Sequence, residues 1–240
     1  MKKSLLFLTA ALSLMLTSCF DMVEEIYLNR DGSGKYVYTI DMSEIFSDPM
    51  MGQIMAQSMS EQMGTEELEI DSVINFSEIQ AAPASLSAQE RELFGRMTLT
   101  MQLSQSKSKG IITINFPFNK VSEINQFNDI YAKMQTDGGM GMAAAGMSPV
   151  TSEFFVNGKV FSRKVTSTGK PSDAMDEETL SMARMMFADA KMKTIYHLPG
   201  QVRKTDIEGA EINGSTVTVT NGLMDVLDGN ANFNGEIKFR

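Results

Sequence analysis

Apolar and polar residues alternate with a period of two in several short stretches, the pattern of a half-buried strand. Pairs of such stretches, joined by turn residues, predict three β-hairpins. They cover residues 23–29 with 35–42, residues 96–103 with 110–118, and residues 154–156 with 159–161. The third hairpin is predicted to turn at Asn157-Gly158 in a type I′ turn. Further strands are predicted at 192–198, 215–220 and 236–239.

Apolar residues spaced three and four apart predict amphipathic helices. One helix is predicted at 120–135, where Val121, Ile124 and Phe127 share a face. Others are predicted within 43–63, where Ser43 is a candidate cap, after a capping box at Ser87, after Pro171 and at 223–227. Because hairpins and helices alternate without a long parallel βαβ pattern, we predict an α+β fold. Antiparallel hairpins would carry the amphipathic helices on one face.

The first 18 residues have the pattern of a lipoprotein signal peptide. Lys2 and Lys3 precede 12 mainly apolar residues, 5–16, whereas a transmembrane helix needs about 20. Leu16-Thr17-Ser18-Cys19 resembles the lipobox of bacterial lipoproteins. That resemblance implies cleavage before Cys19, diacylglycerol on its sulfur and an acyl chain such as palmitate on the new amino group. Two or three acyl chains anchor a protein stably to a membrane.

Phe20, rather than aspartate, follows the lipidated position. By resemblance to the sorting rule of enteric bacteria, this favours the outer membrane over the inner one, with the periplasmic or surface face left open. Four glycines and a final proline at 137–149 predict a Gly/Met-rich linker or loop. It divides the chain into α+β parts at 19–136 and 150–240, and one continuous domain over 19–240 is the alternative.

The residues after the lipobox resemble a group of uncharacterised envelope lipoproteins from Bacteroidetes-type bacteria. The matching residues are Glu24-Glu25-Ile26, Leu28-Asn29 and Asp31-Gly32-Ser33-Gly34. The match covers a minor part of the chain and implies no catalytic residue. The order of elements is also remotely similar to LppM-like lipoproteins, which implies a hydrophobic, lipid-binding cavity.

Charge and residue types exclude several functions. The net charge of −9 argues against a nucleic-acid partner, because affinity for nucleic acids comes from neutralising phosphates. It equally disfavours anionic lipid headgroups, so membrane attachment is expected through the acyl chains. His197 is the single histidine and Cys19 the single cysteine, so the usual zinc ligand sets are missing. We expect no metal and no cofactor, and a half-buried strand histidine at position 197.

Methionine is the main anomaly of the composition, with 21 residues in 240. Met51, Met55, Met59 and Met63 recur every fourth residue, which winds them over about 120° of a helix surface. Ser58, Ser60, Glu61 and Gln62 would form the solvated side. Three interpretations are open: packing of the core, an adaptable apolar surface for a ligand or partner, and a copper(I) site made of thioethers.

These patterns together predict a non-enzymatic, lipid-anchored envelope protein. Its expected binding surface is the methionine set Met51, Met55, Met59 and Met63, in contact with a hydrophobic ligand or another envelope protein. A structural or assembly role without a small ligand is the alternative. A hydrolase that uses paired carboxylates is the third hypothesis.

Overall fold

The computed structural model describes residues 21–78, 85–136, 151–166, 172 and 176–240. The predicted signal peptide with Cys19 and the predicted linker at 137–149 lie outside the described residues. The strands are β1 Asp21–Leu28, β2 Gly34–Asp41, β3 Glu69–Asn75, β4 Thr98–Ser104, β5 Lys109–Phe118, β6 Ser152–Asn157, β7 Val160–Val165, β8 Lys191–His197, β9 Val202–Thr205, β10 Glu211–Asn213, β11 Thr216–Gly222 and β12 Gly235–Phe239. The α-helices are α1 Ser43–Ser47, α2 Pro49–Met63, α3 Ala88–Gly95, α4 Ser122–Thr136, α5 Glu177–Met186 and α6 Leu223–Leu227, and a 3₁₀ turn covers Phe76–Glu78.

Eight strands form a large sheet in the order β10-β11-β8-β1-β2-β5-β4-β3, and four form a small sheet in the order β6-β7-β12-β9. The pairs are antiparallel except β1 with β8, which run parallel. The α+β prediction is confirmed. The large sheet includes strands from both sides of the predicted linker, since β8 lies between β1 and β11.

The large sheet has one buried and one half-exposed face. In β1 the side chains at 22, 24, 26 and 28 are buried and those between them are half-exposed, as a period of two requires. On the buried face, Phe127 of α4 packs on Tyr36 and Phe116, with ring centroids 5.4 and 5.1 Å away. The small sheet packs on this same face, where Phe161 lies 5.4 Å from Tyr196.

The helix α4 joins the two sheets through its polar side. The side-chain amide of Asn125 donates to the carbonyl of Phe154 at 3.2 Å, and its oxygen accepts from the Phe154 amide at 2.8 Å. Asn128 donates to the carbonyl of Ser152 at 2.8 Å. Side chains of α4 thus bond the backbone of β6, which is an edge strand of the small sheet. The helix and the small sheet therefore lie side by side on the buried face of the large sheet.

Three details differ from the sequence prediction. Asn157 pairs with Val160, so the third hairpin turns at Gly158-Lys159 rather than at Asn157-Gly158. Gly158 has a φ of 58° and Lys159 has no positive φ, which fits a type II′ turn instead of type I′. Ser43 is the first residue of α1 and not its cap. The short strands β9 and β10 were not predicted, and β3 lies in residues 67–79, whose pattern is ambiguous but fits a strand better than a helix.

Candidate functional site

The methionine-rich helix α2 has well-defined ends. The Asp48 carboxylate accepts hydrogen bonds from the amides of Met50 and Met51 at 2.9 and 2.8 Å, and Pro49 occupies the first turn. Both are features of a helix start. Gly64 ends the helix with a φ of 68°, a left-handed conformation that favours glycine. The predicted helix therefore begins at Pro49, six residues after Ser43.

The four methionines of the predicted binding surface face the protein interior. Met59 is 1% exposed and belongs to the core, and Met51, Met55 and Met63 are half-buried against it. Ser60 is also buried, so its predicted place on the solvated side is wrong. The side chain of Gln62 is not described. The placement corresponds to the core-packing interpretation, and a binding role for these four residues stays a prediction.

Two other apolar residues of α2 point outward instead. Met50 is 68% exposed and Ile54 is 58% exposed, although both lie in the same helix as the buried set. They are four residues apart, so they share one side of the helix. Gln53, Gln57 and Ser58 are exposed beside them. Glu61 lies on this side too, and Gln57 donates to its carboxylate at 2.9 Å. The outward face of α2, defined by Met50, Gln53, Ile54, Gln57, Ser58 and Glu61, therefore has one charged residue, in the last turn of the helix.

A buried ion pair connects the two sheets. Nη1 of Arg163, on β7, lies 2.5 Å from Oε2 of Glu24, on β1, and both side chains are almost completely buried. Thr194, which is the parallel partner of Glu24 on β8, donates to the same oxygen at 2.8 Å. Tyr36 donates to the other carboxylate oxygen at 2.9 Å. The carboxylate is thus satisfied by one cation and two hydroxyls.

The guanidinium of Arg163 is held on its other sides as well. Its Nε donates to the Ser152 hydroxyl at 2.9 Å. Its central carbon lies 4.5 Å from the centre of the Phe233 ring and 5.1 Å from that of Phe154. Among the described residues Nη2 has no hydrogen-bond acceptor, and the two aromatic faces provide the cation–π contact near it.

Burial and the neighbouring groups act on the ionisable side chains of this cluster. Burial lowers the pKa of Arg163, but Glu24, Tyr196 and Tyr36 together outweigh burial and raise that pKa above its ordinary value. Burial, followed by the charge of Glu24, raises the pKa of Tyr36 well above its ordinary value. Tyr36 is therefore neutral at physiological pH and donates its proton to the carboxylate. Because the pair is sealed from solvent, its role in this structure is to join the sheets.

A second polar cluster lies on the half-exposed face of the large sheet. His197 Nε2 is 3.0 Å from the Glu25 carboxylate, and the Tyr27 hydroxyl donates to the same oxygen at 2.8 Å. The rings of Tyr27 and His197 stack with centroids 4.0 Å apart, and the Lys35 ammonium lies 4.2 Å above Tyr27. The half-buried strand histidine is confirmed. The stacked Tyr27 ring and the Glu25 carboxylate fix the orientation of its imidazole.

A shallow depression of about 340 Å³ lies at the opposite end of β1 from Asp21. It is lined by the β1–β2 turn at Asp31 and Gly32, by the start of α4 near Val121, and by Phe155 and Val156 of β6. Phe155 is 47% exposed there. The turn itself is the hairpin turn predicted from Asp31-Gly32-Ser33-Gly34, with the Asp31 carboxylate accepting from the Ser33 amide at 3.0 Å.

Among the described residues, no three histidine, cysteine or carboxylate side chains are close enough together to hold a metal ion. None of the helices within the described ranges is both long and apolar enough to cross a membrane. Cys19, the predicted site of lipidation, lies outside the described residues.

The Glu24–Arg163 pair was missed by sequence reasoning, although a signal for it exists. Glu24 occupies a core-facing position of the predicted strand 23–29, between Met22 and Ile26. Arg163 similarly follows Phe161 by two residues in β7. A charged residue in the apolar register of a strand predicts a buried, paired charge, because an unpaired one is too costly to bury.

No protein-family model matches the chain, and neither does any curated protein. Among solved structures, the chain is similar to the folded domain of the LppM protein of Mycobacterium tuberculosis, determined by NMR. The two have 10% sequence identity, the match covers 93% of this chain and 90% of that one, and the TM-score is 0.42. LppM-like lipoproteins are the group to which the order of elements was predicted to be remotely similar. A likeness this weak carries no conclusion about function.

Proposed function

We propose that this protein is a lipid-anchored, non-enzymatic lipoprotein of the cell envelope. The observation that carries the proposal is the lipobox Leu16-Thr17-Ser18-Cys19, which ends two residues before β1 begins at Asp21. A span of two residues covers at most about 7 Å. The acylated residue would therefore hold the large sheet directly at the membrane surface, without an intervening linker.

The proposed absence of catalysis is supported by the environment of the charged groups. Glu24 and Arg163 satisfy each other in the interior, out of reach of a substrate. His197 is paired with Glu25 and stacked on Tyr27, and the described contacts of this cluster include no serine, threonine or cysteine nucleophile. A carboxylate hydrolase is accordingly the weaker hypothesis.

The anchoring is tested by replacing the cysteine. Cys19→Ala should abolish incorporation of a fatty-acid probe during growth, because no acceptor thiol remains and processing before residue 19 stops. Phe20→Leu is the matched control, since it leaves the lipobox cysteine in place and should label like the original chain. Labelling of the Cys19→Ala protein at the original level would refute the proposal.

The membrane to which the protein is sorted is tested by substitution of Phe20, the residue after the lipobox cysteine. Fractionation should find the protein in the outer membrane. Phe20→Asp should shift it to the inner membrane, because aspartate there is the retention signal that the sorting rule describes. An unchanged distribution would mean that residue 20 does not direct sorting in this protein.

The methionine set is tested by a quadruple substitution of Met51, Met55, Met59 and Met63 by leucine. Volume is nearly conserved, so each change should cost under about 1.5 kcal/mol and the fold should persist. If the set only packs the core, the bound molecules that copurify should be unchanged. Loss of a copurifying hydrophobic ligand or envelope partner from a folded variant would support the binding role and count against the purely structural one.

A further inference from the structure

The first strand places the anchor at one defined end of the large sheet. Asp21 opens β1, and its partners in register are Asp41, the last residue of β2, and Lys191, the first residue of β8. We name this the β1 end of the sheet, defined by Asp21, Asp41 and Lys191. The residue proposed to carry the lipid, Cys19, is two residues from it.

The helix α2 lies in the chain segment that leaves the sheet at this β1 end, after β2. It is reached from β2 through the single short helix α1, and the Met42 amide at that junction donates to the Gly110 carbonyl of β5 at 2.7 Å. After Met63 the chain needs five residues to reach β3, which starts at this end too. Three strand spacings separate β2 from β3, about 14 Å, and 15 helical residues span about 22 Å. The helix is thus long enough to bridge the strand ends.

The outward face of α2 is suited to a neutral interface between water and lipid. Met50 and Ile54 are largely exposed, and Glu61, in the last turn, is the single charged residue of the helix. On α5, which leads into β8 at this same end, Met185 is 78% exposed. Glu61 lies on the outward face and the chain is acidic overall, so anionic headgroups would repel this face. Contact is therefore expected with neutral headgroups, through the exposed apolar side chains.

We propose that the outward face of α2 rests in the interfacial region of the bilayer that carries the lipid anchor, with Met50 and Ile54 inserted. The inference depends on the lipoprotein function proposed above, because only the anchor brings this face to a membrane. The inward methionines fix the helix to the core, and the outward residues contact lipid. Docking on the membrane orients the sheet, so that the β1–β2 turn and Phe155 point away from the lipid.

The test uses the full-length, lipidated protein reconstituted in neutral phosphatidylcholine vesicles. Since the native cysteine is the single one and is acylated, Ile54→Cys introduces one free thiol for an environment-sensitive fluorophore. Phe155→Cys is the matched control, an exposed apolar position at the far end of the sheet. We expect the probe at 54 to sit about 5–10 Å into the interface and to be quenched by brominated lipid at least about twofold more than the probe at 155.

A second variant excludes an effect of the label itself. The probe is moved to Met50→Cys, and Ile54→Glu is added on the same face. Both positions are exposed, so the fold should persist, and the charge should reduce the quenching by lipid. The unanchored Cys19→Ala form of either labelled variant should show no quenching.

The outcomes separate this inference from the function on which it rests. Failure of the unlabelled protein to float with vesicles would overturn the lipoprotein proposal. Flotation with equal quenching at 54 and 155 would overturn the membrane contact alone. Shielding of position 54 from an aqueous quencher without quenching by lipid would also overturn it, and would point to a protein partner on this face.

Discussion

Removal of one charge from the Glu24–Arg163 pair should destabilise the protein strongly. In Arg163→Met the apolar side chain fills much of the same space, but the Glu24 carboxylate loses its cation inside the protein. Breaking a buried pair in this way costs about 3–5 kcal/mol. For a chain of this size, each 1 kcal/mol corresponds to about 2–4 °C in melting temperature. The expected fall in melting temperature is therefore about 6–20 °C.

The two single variants should respond differently to pH. In Arg163→Met the carboxyl group can neutralise itself by binding a proton, and the hydroxyls of Tyr36 and Thr194 remain as its partners. In Glu24→Gln the guanidinium stays charged, because arginine does not lose its proton in proteins. The folded Arg163→Met protein binds an additional proton as pH falls, so its deficit relative to the original protein should shrink at lower pH. The loss of stability in Glu24→Gln should not become smaller at lower pH.

The double variant Glu24→Gln/Arg163→Met supplies the decisive comparison. It contains no buried charge, so it should be no less stable than the worse single variant. The deviation from additivity should therefore be at least the smaller single loss, about 3 kcal/mol. Urea unfolding of the mature domain, followed by circular dichroism at two pH values, measures all four proteins. Additive losses, or single losses below about 1 kcal/mol, would refute the reasoning and indicate that water reaches the pair.

Three further predictions concern other residues. Burial, followed by the hydrogen bond to Glu25, raises the pKa of Tyr27 from 10.0 to about 12, so its contribution to stability is complete below pH 10 and is lost as pH rises towards 12. The phenolate absorbance of the original protein minus that of Tyr27→Phe should show this late ionisation, and a midpoint near 10 would contradict it. Ser87→Ala should cost about 1 kcal/mol of unfolding free energy by removing the cap of α3, whereas Ser58→Ala on exposed α2 surface should change it by under about 0.5 kcal/mol. Met59→Ala should cost about 2–5 kcal/mol and Met50→Ala under about 0.5 kcal/mol, and equal losses at both positions would show that the assignment of the two faces of α2 is wrong.

The sequence by itself determined the elements whose formation depends on nearby residues. The first two hairpins follow from a period of two on either side of a short turn, and the turn residues bring the two strands together locally. The helix α4 follows from its apolar spacing, and α3 from the Ser87–Glu90 capping box, in which both hydrogen bonds form within four residues. The α+β class follows from the same local patterns, because each element has one apolar side that must be covered.

The tertiary structure alone decided which distant elements meet. The parallel pairing of β1 with β8 joins residues about 170 positions apart, as in the Thr194–Glu24 hydrogen bond, and no local period encodes it. The short edge strands β9 and β10 have too few residues for a clear alternation. The partner of Glu24 could not be read from its strand, because a buried carboxylate predicts a cation but not its position in the chain.

The methionines of α2 also show what a sequence pattern leaves undecided. A four-residue repeat establishes that Met51, Met55, Met59 and Met63 lie on one side of a helix, and the structure confirms that geometry. Whether that side meets the core or a ligand depends on what packs against it. In this fold the methionine side of α2 packs against the core, whereas Met50 and Ile54, on the other side of the helix, are 68% and 58% exposed.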